Sequence, residues 1–385
     1  MSDKTIPFGR PWIDDGDREA VLKVLEGPIL AHGPQCKAFE QEFGQILGDE
    51  AHCVSVSSCT AALHLAYFHL GIGPGDEVIV PAQTHTATAH AVELVGAKPV
   101  FVDCELTTGN VTAEAIAAAI TERTKALSVV HFLGIPCNMA AITDLARQRD
   151  LKVVEDCALA IGTRYQGRHA GLWGDMGCFS FYPVKHLTTG EGGMFVSRHP
   201  QVAASVSKQR AFGVDRSYAE RTLPGMYDVV KLGFNYRMSD INAALGRHQL
   251  TKVPEILKRR RKNFEQLKSL LWKIENVVII DSPGEEYENS YYCLSVVLQG
   301  ALKPHRNAIA TALKAMGVGT SIYYPQPVPR MKYYREKYGY RPEDYPNAAA
   351  ISDGSIALPV GPHVSSDDIE FIARSLEKTI KETHT

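Results

Sequence analysis

Between residues 53 and 156, short apolar runs alternate with stretches of helical periodicity, and no other feature limits the possible folds so strongly. "CVSV" precedes "CTAALHLAYFHL", "EVIVP" precedes "TATAHAVELVG", and "KPVFVD" leads to "TAEAIAAAI". "ALSVVH" leads in turn to "MAAITDLARQRD", and "KVVED" closes the series. Strands separated by helices at this rhythm read as βαβ units and a mostly parallel sheet. The turn signal "GIGPGDE" at 71–77 divides two of them.

The regularity changes after Ser180. "FSFYP" and "GGMFVS" read as two strands around a turn that carries Lys185. A long helical region runs from about Ser239 to Leu271. Beyond it lie strand candidates "VVII" and "YYCLSVVLQ", a helix near 305–316 and a terminal helix near 366–382. The expected division is a large α/β domain over 1–250 and a small α+β domain over 251–385, a length that supports two cores.

Composition removes several classes of partner. Apolar residues make up 45% and charged residues 22%, as in a globular chain, and the net charge of -2 argues against nucleic acid or an anionic membrane. The basic run Lys258–Lys262 lies in a helical pattern without interleaved aromatics and reads as a solvated helix face. Eight cysteines are scattered with no C-x-x-C pair, several in apolar strand contexts, so free buried thiols are expected. "MSDKTIPFGRPW" has no apolar signal core and no apolar run approaches 18 residues, so the expected compartment is the cytoplasm.

Lys185 is set among aromatics, hydroxyls and glycines in "GCFSFYPVKHLTTGEGGM". A phosphate-clamping loop of the G-x-x-x-x-G-K-[ST] type is excluded, because His186 follows the lysine. No G-x-G-x-x-G follows the first strand, which argues against a dinucleotide-dependent dehydrogenase. A Schiff base with pyridoxal phosphate instead requires a carboxylate for the pyridine nitrogen, a hydroxyl and amide cluster for the phosphate, and a flat group over the ring. Asp156 ends an apolar strand in "VVEDCALA", at the edge where α/β sheets bind ligands, although the same residue also reads as a cap of the next turn. "SVSSCTAALHLA" passes from strand to helix through small hydroxyl residues, which suits a phosphate and equally an ordinary helix cap. Ser180 offers a further hydroxyl, and His85 follows the strand "EVIVP" with a flat imidazole.

In its order and spacing the chain resembles, over nearly its whole length, the DegT/DnrJ/StrS family of fold-type I, pyridoxal-phosphate-dependent sugar aminotransferases. The most specific marks are "FSFYPVKHLTTGEGGM", "EDCALAIG", "VPAQTHTATAHAVELVGAKPVFVD" and "FNYRMSDINAALG". The resemblance implies that Lys185 attaches the cofactor and that Asp156 pairs with its pyridine nitrogen. Cys59 and Thr60 match the pair that holds the phosphate, with Ser180 in support, and His85 takes the place of an aromatic stacked on the ring. Asn235 matches an asparagine that reaches the phosphate of the partner subunit, from a segment expected here to be a loop; alone, it also reads as a residue stabilising its own turn. A homodimer with shared active sites is implied as well.

The chain departs from the pattern at three places. Leu159 stands where the family has Gln or His near the ring hydroxyl. Tyr323 and Val328 lie near the places of two family histidines that read the sugar or its phosphates. His85 replaces Trp, Tyr or Phe. The resemblance implies transfer of an amino group from glutamate to a nucleotide-linked keto sugar, expected to be a 4-keto-6-deoxyhexose. The alternatives are a 3-aminotransferase or a dehydratase of the same fold, or a non-catalytic regulator. Dehydratase relatives replace the lysine with histidine, whereas here His186 merely follows Lys185, and a pure binder has no need of such a lysine.

Overall fold

The computed structural model describes residues 5–31, 33–215, 223, 225–341 and 343–383. Helices α1 (Asp15–Leu25) and α2 (Pro34–Leu47) lead into the alternating region. There β1 (His52–Val56), α3 (Cys59–His69), β2 (Glu77–Pro81), α4 (Thr86–Leu94), β3 (Lys98–Val102), α5 (Ala113–Ala119), β4 (Thr124–Val130), α6 (Met139–Gln148) and β5 (Lys152–Asp156) follow the expected order. The short strands β6 (Arg164–Tyr165) and β7 (Arg168–His169) precede β8 (Met176–Ser180) and β9 (Gly193–Ser197), the two strands foreseen around the lysine. After α7 (Pro200–Gln209) comes α8 (Asp240–Leu271), capped by Ser239, whose hydroxyl accepts from Asn242 N.

Seven strands form one sheet in the order β1-β9-β8-β5-β4-β2-β3. Only β9 runs against the rest: β2, β3, β4, β5 and β8 pair in parallel, and β9 pairs antiparallel with both β1 and β8. Apolar side chains cover both faces. Leu63, Leu65 and Val92 from α3 and α4 join Val78, Val80 and Phe195 in one cluster, while Ile142 and Met139 of α6 join Val129 and Val153 in another. A third holds Phe39 and Phe43 of α2 against Phe179 and Phe181. This is the two-sided burial that a parallel sheet demands.

The remaining elements are β10 (Val277–Ile279), β11 (Tyr287–Glu288), β12 (Leu294–Leu298), α9 (Arg306–Ala315), α10 (Lys332–Tyr338), α11 (Pro346–Gly354), β13 (Ser355–Leu358) and α12 (Ser366–Thr383). Strands β10, β12 and β13 make a small antiparallel sheet whose core includes Leu313, Ile356, Ile372 and Leu376. Helix α8 serves both parts: Ala243, Leu250 and Val253 pack in the core of the large sheet, and Phe264, Leu267 and Leu271 in that of the small one. Residue 250 therefore falls inside one continuous helix, and Tyr334, Ala348 and Ile351 from α10 and α11 return to the large core. No described helix is long and apolar enough to cross a membrane.

Candidate active site

The carboxyl ends of β1, β2, β5 and β8 lie along one edge of the sheet, and each delivers a residue singled out above. In an open α/β sheet this edge is where ligands bind.

The first contribution is the start of α3. Ser58 caps the helix by accepting from Ala61 N at 3.1 Å, and Ala62 N bonds Ser58 O. The N–H groups of Cys59 and Thr60 find no acceptor among the described residues, so two donors and the positive helix end remain for an anion. Cys59 is buried, and its thiol donates to Cys178 O at 3.4 Å, so its side chain is a packing group; burial pushes the thiol well above its usual range. Val56 pairs with Gly193, and Gly193 with Ser180, so Ser180 lies two strand spacings, about 10 Å, from β1. A Cβ on Gly193 would stand 2.4 Å from Ser58 C and 2.5 Å from Cys59 N. Glycine here lets the helix start sit directly on the sheet.

The second contribution comes from β5. Neighbouring strand residues face opposite ways, and Glu155 and Asp156 have divided accordingly. Glu155 is fully buried and accepts from His131 Nε2 at 2.8 Å and from the backbone N–H groups of Gly171, Trp173 and Gly174. It ties down the 171–174 turn. Burial opposes its charge, but these donors outweigh that cost and hold the carboxyl below its ordinary range. His131 Nδ1 accepts from Cys137 N, so both ring nitrogens are engaged. Asp156 instead closes the strand at the ligand-binding edge of the sheet. Its Oδ2 accepts from Thr88 Oγ1 at 2.7 Å and its Oδ1 from Ala158 N at 3.0 Å. Thr88 in turn shares a hydrogen bond of 2.7 Å with Thr84. The sequence reading missed these two threonines; their spacing of four in "THTATAH" was the available signal.

His85 caps α4, its Nδ1 accepting from Ala87 N at 3.1 Å, and its ring meets Tyr324 edge to face with centroids 5.6 Å apart. Desolvation lowers its proton affinity, with the charges of Asp156 and Lys185 acting on it in opposite senses. Lys185 sits in the turn between β8 and β9, its N–H bonded to Tyr182 O at 2.9 Å. Burial lowers its proton affinity, and Cys59, Asp156 and Cys293 oppose that shift. Lys185, Asp156, Cys59 and His85 thus share one electrostatic neighbourhood.

Asn235 lies outside any strand, as expected, in a segment tied to its own chain by single bridges from Asn235 to Ala211 and from Arg237 to Val56. Its side chain is exposed, with Oδ1 accepting from Arg237 Nε at 2.8 Å, which leaves the amide N–H groups as what it can offer.

Leu159 is buried in the core at 4% exposure; its side chain has no hydrogen-bonding group, while its carbonyl accepts from Ser290 Oγ at 2.6 Å. Val328 is also a core residue, and its N–H bonds Ala82 O. Tyr323 belongs to an aromatic wall with Phe8, Tyr292 and Tyr324, whose centroids are separated by 5.3 to 6.4 Å. His186 is buried, with Nε2 donating to Ser290 O at 2.9 Å; it anchors the lysine turn.

Comparison with known proteins gives the family. The profile of the DegT/DnrJ/EryC1/StrS aminotransferase family matches residues 11–377. The spore coat polysaccharide biosynthesis protein SpsC of Bacillus subtilis is 35% identical over 385 residues, spanning 98% of this chain and 97% of its own. The aminotransferase TlmJ of Streptoalloteichus hindustanus superposes with a TM-score of 0.90 at 31% identity, over 99% of this chain and 100% of that one. Spr1654 of Streptococcus pneumoniae, in its PLP form, gives a TM-score of 0.91 at 28% identity over 99% and 100% of the two chains. The chain belongs to the DegT/DnrJ/EryC1/StrS aminotransferase family, whose enzymes depend on pyridoxal phosphate and whose structural neighbours here are sugar aminotransferases.

Proposed function

We propose that this enzyme moves an amino group from glutamate to a nucleotide-linked keto sugar, a 4-keto-6-deoxyhexose, and that Lys185 is the residue that attaches the cofactor. The observation that carries the reading is the convergence of Lys185, Asp156, His85 and the open start of α3 on one sheet edge. The donor set fits the cofactor. The N–H groups of Cys59 and Thr60, with the hydroxyls of Thr60 and Ser180, suit a phosphate, and the Asp156 side chain suits a protonated ring nitrogen. When bound, pyridoxal phosphate supplies an electron-withdrawing ring that stabilises negative charge at the substrate carbon.

The chain's own groups do the rest. Thr88 and Ala158 N orient the Asp156 carboxylate toward the crevice. Lys185, when its amine is free, would carry a proton to or from the substrate carbon; burial favours the free amine that this requires. His85 covers the ring, and Asn235 offers its amide N–H groups to the phosphate of a second subunit. The segment around Asn235 exposes Phe212, Met226, Val229 and Leu232, an apolar face suited to a second copy of the chain. The sugar assignment draws support from SpsC, a protein named for polysaccharide biosynthesis.

A panel of nucleotide keto sugars, offered to the pyridoxamine-loaded protein while its amine-form absorbance is followed, tests the reading. Loss of that absorbance with a 4-keto-6-deoxyhexose is expected. Turnover confined to 3-keto sugars, or response to none of the panel, overturns the substrate assignment.

A further inference from the structure

Lys185 has an unusual neighbour for its charged end. Among the described residues no carboxylate lies within ion-pair distance of Nζ, yet Nζ stands 5.5 Å from the ring centroid of Tyr292. Tyr292 is fixed from several directions and is 3% exposed. Its hydroxyl shares a 2.6 Å hydrogen bond with Tyr323, and its carbonyl accepts from Arg260 Nη1 at 2.6 Å. Phe8 meets its ring edge-on at 6.4 Å, and His186, the anchor of the lysine turn, lies 5.8 Å away. Among the described residues Arg260 is buried without a carboxylate partner, and its Cζ stands 5.8 Å from the same ring.

We propose that Tyr292 is the positioning residue for Lys185, its ring being the surface on which the amine rests whenever it is not bonded to the cofactor. The proposal rests on the reading of Lys185 given above. A lysine that is displaced during each half-reaction and must return needs a place to wait within reach of the reacting carbon. A flexible four-carbon stem supplies no such place by itself. An aromatic face attracts an ammonium group and also packs against the methylene stem, so it holds both forms of the lysine. The bond from Tyr292 to Tyr323 holds the tip of the ring, and the grip of Arg260 on the Tyr292 carbonyl holds the backbone beneath it.

The other groups around Lys185 make the ring's share measurable. Asp156, Cys59, Cys293 and His85 act on it, and His186, Tyr323 and Arg260 stand around Tyr292. Burial pushes the thiols of Cys59 and Cys293 upward, and the Asp156 carboxylate is left untouched by any change at Tyr292. Removing the ring weakens support for the ammonium without touching that carboxylate.

The test uses cofactor-free, full-length protein. The pH dependence of reductive methylation at Lys185 is followed by peptide mass for wild type, Tyr292→Leu, Tyr292→Phe and Tyr292→pentafluorophenylalanine. The fluorinated residue keeps the ring's shape but withdraws charge from its face, so a folding failure of the leucine variant does not end the experiment. The expected result is a loss of Lys185 proton affinity of roughly three- to tenfold with leucine or the fluorinated ring, and less than about twofold with phenylalanine. In the loaded enzyme the same two variants lose kcat while KM for the sugar holds. A fluorinated variant whose methylation profile matches that of Tyr292→Phe overturns the proposal. Borohydride labelling of Lys185 in loaded wild type separates the two claims, since a label elsewhere removes the lysine assignment itself.

Discussion

Gly193→Ala tests how the fold builds the phosphate end of the site. A Cβ at 193 would lie 2.4 Å from Ser58 C, 2.5 Å from Cys59 N and 2.6 Å from Ser58 O, all backbone atoms that cannot swing aside. Ordinary contact begins near 3.4 Å, so the start of α3 must move by about 1 Å, and overpacking of this kind costs about 1–3 kcal/mol of stability. A 1 Å displacement takes an N–H···O distance from about 2.9 Å to nearly 3.9 Å, beyond hydrogen bonding. Losing two charge-assisted bonds at about 1.5 kcal/mol each weakens phosphate binding by roughly 100-fold. The assay is binding of pyridoxal phosphate beside binding of pyridoxal, which lacks the phosphate, with a denaturant melt to confirm folding. The expected variant is folded, binds pyridoxal as wild type does, and has lost most of the advantage that the phosphate confers. Equal affinity of variant and wild type for pyridoxal phosphate would refute the argument that the α3 start is the phosphate cradle.

Four further outcomes follow from the geometry. Asp156→Asn keeps an acceptor for Ala158 N and stays within about 1 kcal/mol in stability, but turnover falls by at least about 100-fold because a neutral group cannot hold the ring nitrogen protonated; near-normal kcat would assign that task to another residue. Glu155 has a folded pKa below its unfolded one, so its contribution is present above about pH 4.3 and is lost as pH falls through the folded value; acid titration of stability in wild type and Glu155→Gln checks this, and the variant should start less stable and show a shallower acid loss. Leu159→Gln buries an amide at about 1–3 kcal/mol and should shift the pH dependence of the lysine-linked cofactor's absorbance; an unchanged spectrum would show that the ring oxygen is bonded elsewhere. Mixing inactive Lys185→Ala with inactive Asn235→Ala under subunit exchange should restore activity, because one heterodimer site then carries neither lesion; exchanged mixtures that stay inactive would place the asparagine within its own chain.

The parallel half of the fold was legible because each strand is an unbroken apolar run and each crossover has helical spacing, signals that survive without tertiary context. The sheet-edge residues were legible for a related reason: a polar residue ending an apolar strand, such as Asp156 or Ser180, has few ways to avoid the ligand crevice. Helices α10 and α11 were not foreseen. Their apolar residues, Tyr334, Ala348 and Ile351, are sparse and are buried by docking onto the large core, a long-range effect with no local signature. The path of the segment around Asn235 was hidden for the same reason, since its bridge to Val56 spans much of the chain. Glu155 and Asp156 look alike in sequence; only strand alternation and the donors around the 171–174 turn separate a structural carboxylate from one that faces the crevice.

The central claim is that Lys185 carries the cofactor, and borohydride tests it most directly. Reducing the protein loaded with pyridoxal phosphate fixes the cofactor to the amine that holds it, and peptide mass mapping then names the residue. The account predicts one modified lysine, Lys185, and no modification in Lys185→Ala. A label on Lys152 or Lys208 would contradict it.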